Sequence, residues 1–124
     1  MKSLEVWQSA QKLCKDVRDL TIKEPFSKDY RLKENQIRSS SGSVMDNIAE
    51  GFREMAEKNL FNTFSISKGS CGETRSQSYR AFDYTYISAE ELDYMIKNTE
   101  SIGKRIGAFM NYLKRSEFKG NKFK

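Results

Sequence analysis

Leu4, Trp7, Ala10, Leu13, Cys14, Val17 and Leu20 recur at steps of three and four residues, which gathers them into one apolar helical stripe. Lys12, Lys15, Arg18 and Asp19 fall around it. The pattern stops before Pro25, which disfavours helix at the residue preceding it. Phe26 and Ser27 lead into a second helix, roughly 28 to 53, marked by Tyr30, Ile37, Val44, Ile48 and Phe52. A break near Arg53 to Ala56 opens a third, roughly 57 to 86, through Leu60, Phe61, Phe64, Cys71, Arg75, Tyr79 and Phe82. Ser88 followed by Glu91 is a capping-box pattern. It starts a fourth helix, roughly 89 to 115, with Leu92, Met95, Ile96, Ile102, Ile106, Phe109 and Leu113. Nothing alternates with the period of two of a half-buried strand. The spacing therefore predicts an all-α fold, a single up-down-up-down antiparallel four-helix bundle over residues 1–115.

The middle of this pattern is unusually small and polar. The second helix carries Ser39-Ser40-Ser41-Gly42-Ser43, and the third carries Ser65, Ser67, Gly69, Ser70, Cys71 and Gly72. Each helical glycine costs about 1 kcal/mol relative to alanine, so such a cluster needs a packing reason. If the turn centres near residues 55 and 56, antiparallel pairing places positions summing to about 111 at one level. Ser39 to Ser43 then face residues 72 to 68, and small side chains let the two backbones approach with hydroxyls bonding across the seam. The same register sets Asn47 level with Phe64 and predicts an Arg38–Glu73 ion pair.

Length and composition fit this picture. One proline in 124 residues, 37% apolar and 31% charged, match amphipathic helices around one modest core. No apolar run approaches the roughly 20 residues of a membrane span, and Met1 to Glu5 lead into no signal-peptide core; a cytoplasmic protein is expected. Cys14 and Cys71 form no Cys-x-x-Cys pair, and read as buried thiols. There is no histidine, which removes the commonest general base, the commonest zinc ligand and every Ser-His or Cys-His dyad.

Charge is unevenly spread. Residues 1–103 hold 15 Lys plus Arg against 16 Asp plus Glu, while residues 104–124 hold 7 against 1. Lys104, Arg105, Lys114, Arg115, Lys119, Lys122 and Lys124 make up this basic end, in which Gly120-Asn121 favours a frayed, flexible tail over residues 116–124. Each such cation that neutralises a phosphate releases a condensed counterion, so the segment is a candidate nucleic-acid contact. A solubilising tail that complements the helix dipole is the alternative.

Particular motifs sharpen the reading. Leu4-Glu5-Val6-Trp7 with Ala10, Gln36-Ile37-Arg38, Ser43, Asn47-Ile48-Ala49-Glu50-Gly51, and Gly69-Ser70 followed by Glu73 resemble the bacterial four-helix-bundle proteins that include those encoded in intervening sequences of 23S rRNA genes and the accessory proteins of diversity-generating retroelements. The resemblance runs through most of residues 4 to 115. It departs at Lys68, where the family usually places an apolar residue, and at the polar run Thr74 to Ser78. It implies a homo-oligomer, a pentamer standing as a barrel, with nucleic acid and a protein as partners. It implies no catalytic residue and no cofactor.

Two chemical alternatives are weaker. Asp46, Glu50 and Glu54 at four-residue spacing could share one helix face as a divalent-metal site, but a solvated face with Glu50 paired near the helix end is the simpler reading. Lys68-Gly69-Ser70-Cys71-Gly72 lacks the full phosphate-loop pattern and falls mid-helix, where its N–H groups are already used. The tyrosines and phenylalanines at 26, 30, 79, 82, 84, 86 and 94 should gather near one end, as core or subunit interface before base-stacking platform. The sequence thus points to a non-enzymatic, oligomeric accessory protein that binds nucleic acid through backbone phosphates, or to an oligomeric protein-interaction scaffold.

Overall fold

The computed structural model describes residues 2–57 and 63–122, with side chains from Leu4 to Glu57 and from Thr63 to Ser116. Four α-helices follow one another: α1 (Lys2–Thr21), α2 (Arg38–Ala56), α3 (Thr63–Asp83) and α4 (Ala89–Lys122). Each packs on its chain neighbour, and α1 closes on α4. The bonds between elements run in opposite order along neighbouring helices, as an antiparallel bundle requires. Cys14 Sγ meets Ser41 O while Thr21 meets Arg38, and Ser43 meets Ser70 while Ser40 meets Thr74. Among the described residues there is no strand.

From Trp7 onward α1 follows the expected stripe, with Ala10, Leu13 and Val17 essentially inaccessible and Trp7 and Leu20 partly buried against the same core; at its start Leu4, expected on the stripe, is exposed and Val6 is buried instead. It ends at Thr21, whose hydroxyl donates to Val17 O (2.8 Å). Phe26 then plugs the end of the bundle within a 3₁₀ turn, Phe26–Lys28, stacked on Tyr86 at 5.1 Å.

The second helix does not begin as a plain α-helix. Residues Arg31–Ile37 form a π-helical segment that feeds directly into α2. Its wider turn brings Leu32 and Ile37, five residues apart, onto the buried face together, which a 3.6-residue repeat would not do. Tyr30, expected on the core stripe, is 67% exposed instead.

α3 departs furthest from the expected stripe. Tyr79 and Phe82 are exposed, while Thr63, Ser67, Ser70, Thr74, Ser78 and Ala81 are buried beside Phe64 and Cys71. The core face is rotated by one residue towards the hydroxyls. Buried hydroxyls are tolerable because each has a partner: Thr74 donates to Ser70 O and Ser78 to Thr74 O within the helix. The break between α2 and α3 also lies later than expected, since α2 continues to Ala56. Leu60 and Phe61, expected on the third helix, lie outside the described residues. α3 ends at Asp83, three residues before the expected limit, in a turn where Tyr86 N donates to Ala81 O and Thr85 takes φ of 64°.

The capping box opens α4 as expected, with Glu91 N donating to Ser88 Oγ (3.1 Å) and Ser88 N to Glu91 Oε1 (2.8 Å). α4 then runs to Lys122, past the expected end at 115 and through Gly120-Asn121.

Candidate nucleic-acid interface

The α2–α3 seam brings the family-like motifs together. Ser70 Oγ donates to Ser43 Oγ (2.8 Å), and Asn47 Nδ2 donates to Ser43 Oγ (3.0 Å) and Ser43 O (2.9 Å). Ser67 Oγ donates to Val44 O (2.7 Å), Ser40 and Thr74 share a 2.8 Å hydroxyl pair, and Ser40 also donates to Gln77 Oε1. The small-residue patches meet as the sequence register implies.

Their glycines do not all serve that approach. A methyl group at Gly42, Gly69 or Gly72 would meet nothing within 4 Å, whereas one at Gly51 would sit 2.6 Å from the Phe64 ring. Gly51 is therefore the motif glycine that a close contact demands. It admits Phe64 to an aromatic trio with Phe52 and Phe109, centroids 5.3 to 5.8 Å apart.

Arg38 does not pair with Glu73. Its Nε donates to Thr21 Oγ1 (2.8 Å) and its Nη1 reaches Glu34 Oε1 (3.2 Å), while Glu73 is exposed. The reason is the face on which Arg38 stands: it turns towards Thr21 of α1, with Glu34 at the ordinary i,i+4 position beside it, while α2 meets α3 through Ser40 and Thr74. Gln36 accepts from Arg80, another link between this segment and α3.

The three carboxylates of α2 part company. Asp46 is exposed; Glu50 pairs with Arg53, whose guanidinium holds the Glu50 carboxyl below its ordinary range. Glu54 is buried rather than solvated. It accepts from Thr63 N (3.2 Å) and Thr63 Oγ1 (2.5 Å), so it caps the start of α3 from the end of α2. Sequence reasoning missed this role because the cap comes from nine residues upstream. Among the described residues no group of three His, Cys, Asp or Glu side chains is placed to hold a metal ion.

Both thiols are held protonated. Burial pushes Cys71 up to about 11, and Cys14 is raised mainly by burial and secondarily by Asp46. Of the expected aromatic end, Phe26, Tyr84 and Tyr86 form a contiguous cluster, Tyr86 stacked on Phe26 and met edge to face by Tyr84. Tyr94 lies apart, donating to Asp16 Oδ2 (2.7 Å) beside Lys12.

The basic end is carried by α4. Arg75 donates to Thr99 and Lys68 lies beside Gly107, so levels in α3 and α4 sum to about 174 and Thr63 stands opposite residue 111. Some 11 residues of α4, about 16 Å of helix at 1.5 Å per residue, run on beyond the start of α3. Lys104, Lys114 and Arg115 are exposed. Lys104 and Arg115, eleven residues or about three turns apart, share one face. Residues 119 and 122 lie on the same helical backbone, and Lys124 lies outside the described residues. Arg105 points elsewhere: it lines a cavity at the end of the bundle, with its Nε removed from solvent.

No helix among the described residues is long and apolar enough to cross a membrane. The family model described as 23S rRNA-intervening sequence protein matches residues 2–108. No curated protein matches the chain.

Proposed function

Since the chain belongs to the 23S rRNA-intervening sequence protein family, we propose that it is a non-enzymatic, homo-oligomeric accessory protein that binds nucleic acid through backbone phosphates. The observation that supports this reading is the C-terminal part of α4, where residues 104–122 hold six Lys and Arg against one acidic residue and Lys104, Lys114 and Arg115 are exposed. Lys104, Lys114, Arg115, Lys119, Lys122 and Lys124 are the contacts it assigns. A helix end rich in Lys and Arg offers phosphates a charged rod without base-edge readout. Repetition of that rod around an oligomer, a pentamer by family resemblance, multiplies weak contacts into avidity. The exposed Ile66, Tyr79 and Phe82 of α3 and the open space at Gly42 and Gly69 support assembly through the α2–α3 side.

Fluorescence anisotropy with structured RNA and duplex DNA, titrated from about 50 to 200 mM salt, tests the reading. Binding should fall steeply with salt. Replacing Lys114, Arg115, Lys119 and Lys122 with glutamine should flatten the log–log slope by about 0.7 to 0.9 for each phosphate no longer neutralised. An unchanged slope in that variant moves the binding surface elsewhere, and no binding at 50 mM salt leaves the protein-interaction scaffold as the function. Sedimentation equilibrium of the full chain tests the oligomer, and a monomer at micromolar concentration would reject it.

A further inference from the structure

At the end of the bundle away from Pro25, an apolar cavity of about 940 Å³ opens between the start of α1, the end of α2, the start of α3 and the middle of α4. That volume lies within the usual range of small-molecule sites, roughly 300 to 1,000 Å³. Phe52, Phe64 and Phe109 wall it, with Ile48 and Ile106 behind them. The rings stand edge to face at interplanar angles of 64° to 84°. Gly51 and the buried Glu54 cap fix the α2–α3 end on which two of those rings are mounted. The wall is thus built from interlocked rings on regular helices.

One group breaks the apolar lining. Arg105 Nε is buried with no hydrogen-bond partner, the sole side-chain nitrogen or oxygen so placed among the described residues. A guanidinium cannot shed its proton to escape, and a buried donor left unpaired costs about 1 to 3 kcal/mol or more. Other arginines along the bundle are satisfied: Arg38 by Glu34, Arg53 by Glu50 and Glu57, Arg75 by Thr99, Arg80 by Gln36. Glu5, the cavity's other ionisable carboxylate or amine, is exposed and forms no ion pair with Arg105.

Aromatic walls and a guanidinium whose Nε has no partner together specify a complementary shape. An inorganic anion would leave the rings uncovered, and a neutral hydrocarbon would leave the charge of Arg105 at the cavity wall without a counter-charge. We propose that this cavity binds a free monocarboxylate with an apolar body, of the fatty-acid class, its carboxylate accepting from Arg105 and its chain lying among Phe52, Phe64 and Phe109. The guanidinium fork suits a carboxylate better than a point charge would. The cavity shares α4 with the proposed phosphate contacts but none of their residues, so the two readings can be tested separately.

Isothermal titration of the full chain with decanoate below its micellar concentration, and in parallel with decanol, reads both halves of the ligand. Decanoate should bind one per chain and at least tenfold more tightly than decanol. Arg105→Met should remove that preference, weakening decanoate at least tenfold while changing decanol less than twofold. Ala108→Trp, at an exposed residue of the cavity rim, should block both ligands while the circular-dichroism melt stays that of a folded bundle. Equal decanoate affinity in Arg105→Met, or no binding of either ligand by the wild-type chain, would overturn the proposal. So would binding to phosphatidylglycerol vesicles with free decanoate inert, which would place the anion on a lipid surface.

Discussion

Gly51→Ala isolates one contact with opposing effects that can be weighed. Alanine in a helix interior is favoured over glycine by about 1 kcal/mol. Against this, the new Cβ would stand 2.6 Å from Phe64 Cε1 and Cζ and 2.8 Å from Cδ1, and the ring cannot retreat freely because Phe52 and Phe109 pack on it. Overpacking of this kind costs about 1 to 3 kcal/mol, so the net change should run from near zero to a loss of about 2 kcal/mol. Gly103→Ala is the matched control. It too is a buried helical glycine, but its new Cβ would meet Cys71 Cβ at 3.9 Å, an ordinary contact, so it should gain about 1 kcal/mol. In urea unfolding, with a slope of about 1 to 3 kcal/mol/M, the two midpoints should separate by about 1 M. The variant Gly51→Ala/Phe64→Leu should recover most of the deficit relative to Phe64→Leu alone, because the contact is pairwise. If Gly51→Ala matched or exceeded Gly103→Ala, the argument that Phe64 dictates this glycine would be refuted.

Other outcomes follow from single contacts. Glu54→Ala should cost about 1 to 3 kcal/mol by removing a buried acceptor of two α3 donors, read as a fall in the urea midpoint; a loss below about 0.5 kcal/mol would mean that water serves the cap equally well. Thr85→Gly should stabilise by about 0.5 to 1 kcal/mol, the relief of left-handed strain at a β-branched residue minus glycine's larger entropy, measured by thermal melting and contradicted by any loss. Cys71 is held protonated in the fold up to about 11 against an ordinary value of 9.0, so the unfolded chain ionises first and alkali favours unfolding. That contribution is whole below pH 9 and disappears as pH rises towards 11; wild type should lose more stability over this interval than Cys71→Ala, and equal losses would rule out the thiol as a source.

What the sequence disclosed and what it hid divide along physical lines. The stripe of α1, the capping box at Ser88 and the antiparallel register of α2 and α3 were legible because each depends on residues close in sequence or on a simple reflection about one turn. The π-helical start at Arg31–Ile37 was not, since its extra residue leaves no compositional mark, and neither was the partner of Arg38, which turns to Thr21 of α1 and to Glu34 instead of Glu73. The face of α3 escapes any rule that assigns large rings to the core and hydroxyls to the surface; Ser67, Ser70, Thr74, Ser78 and Ala81 carry the three-and-four spacing in small residues. The trio Phe52, Phe64 and Phe109 could have been found by extending the same reflection to α4. The inward turn of the Arg105 Nε could not, because Lys104 beside it has the same charge and is exposed.

The hydroxyl seam between α2 and α3 has a consequence for how the protein responds to cold. Heat capacity rises on unfolding with the apolar surface exposed and falls with the polar surface, at about +0.45 and −0.26 cal/K/mol per Å². A seam closed by Ser40, Ser43, Ser67, Ser70 and Thr74 therefore contributes little to that increment, or reverses it, where a leucine seam of equal area would enlarge it. The stability curve of this bundle should be flatter than that of a hydrocarbon-packed one of its length. The α2–α3 pair should hold in supercooled solution while the α1 stripe of Ala10, Leu13 and Val17, whose burial weakens on cooling, lets go first.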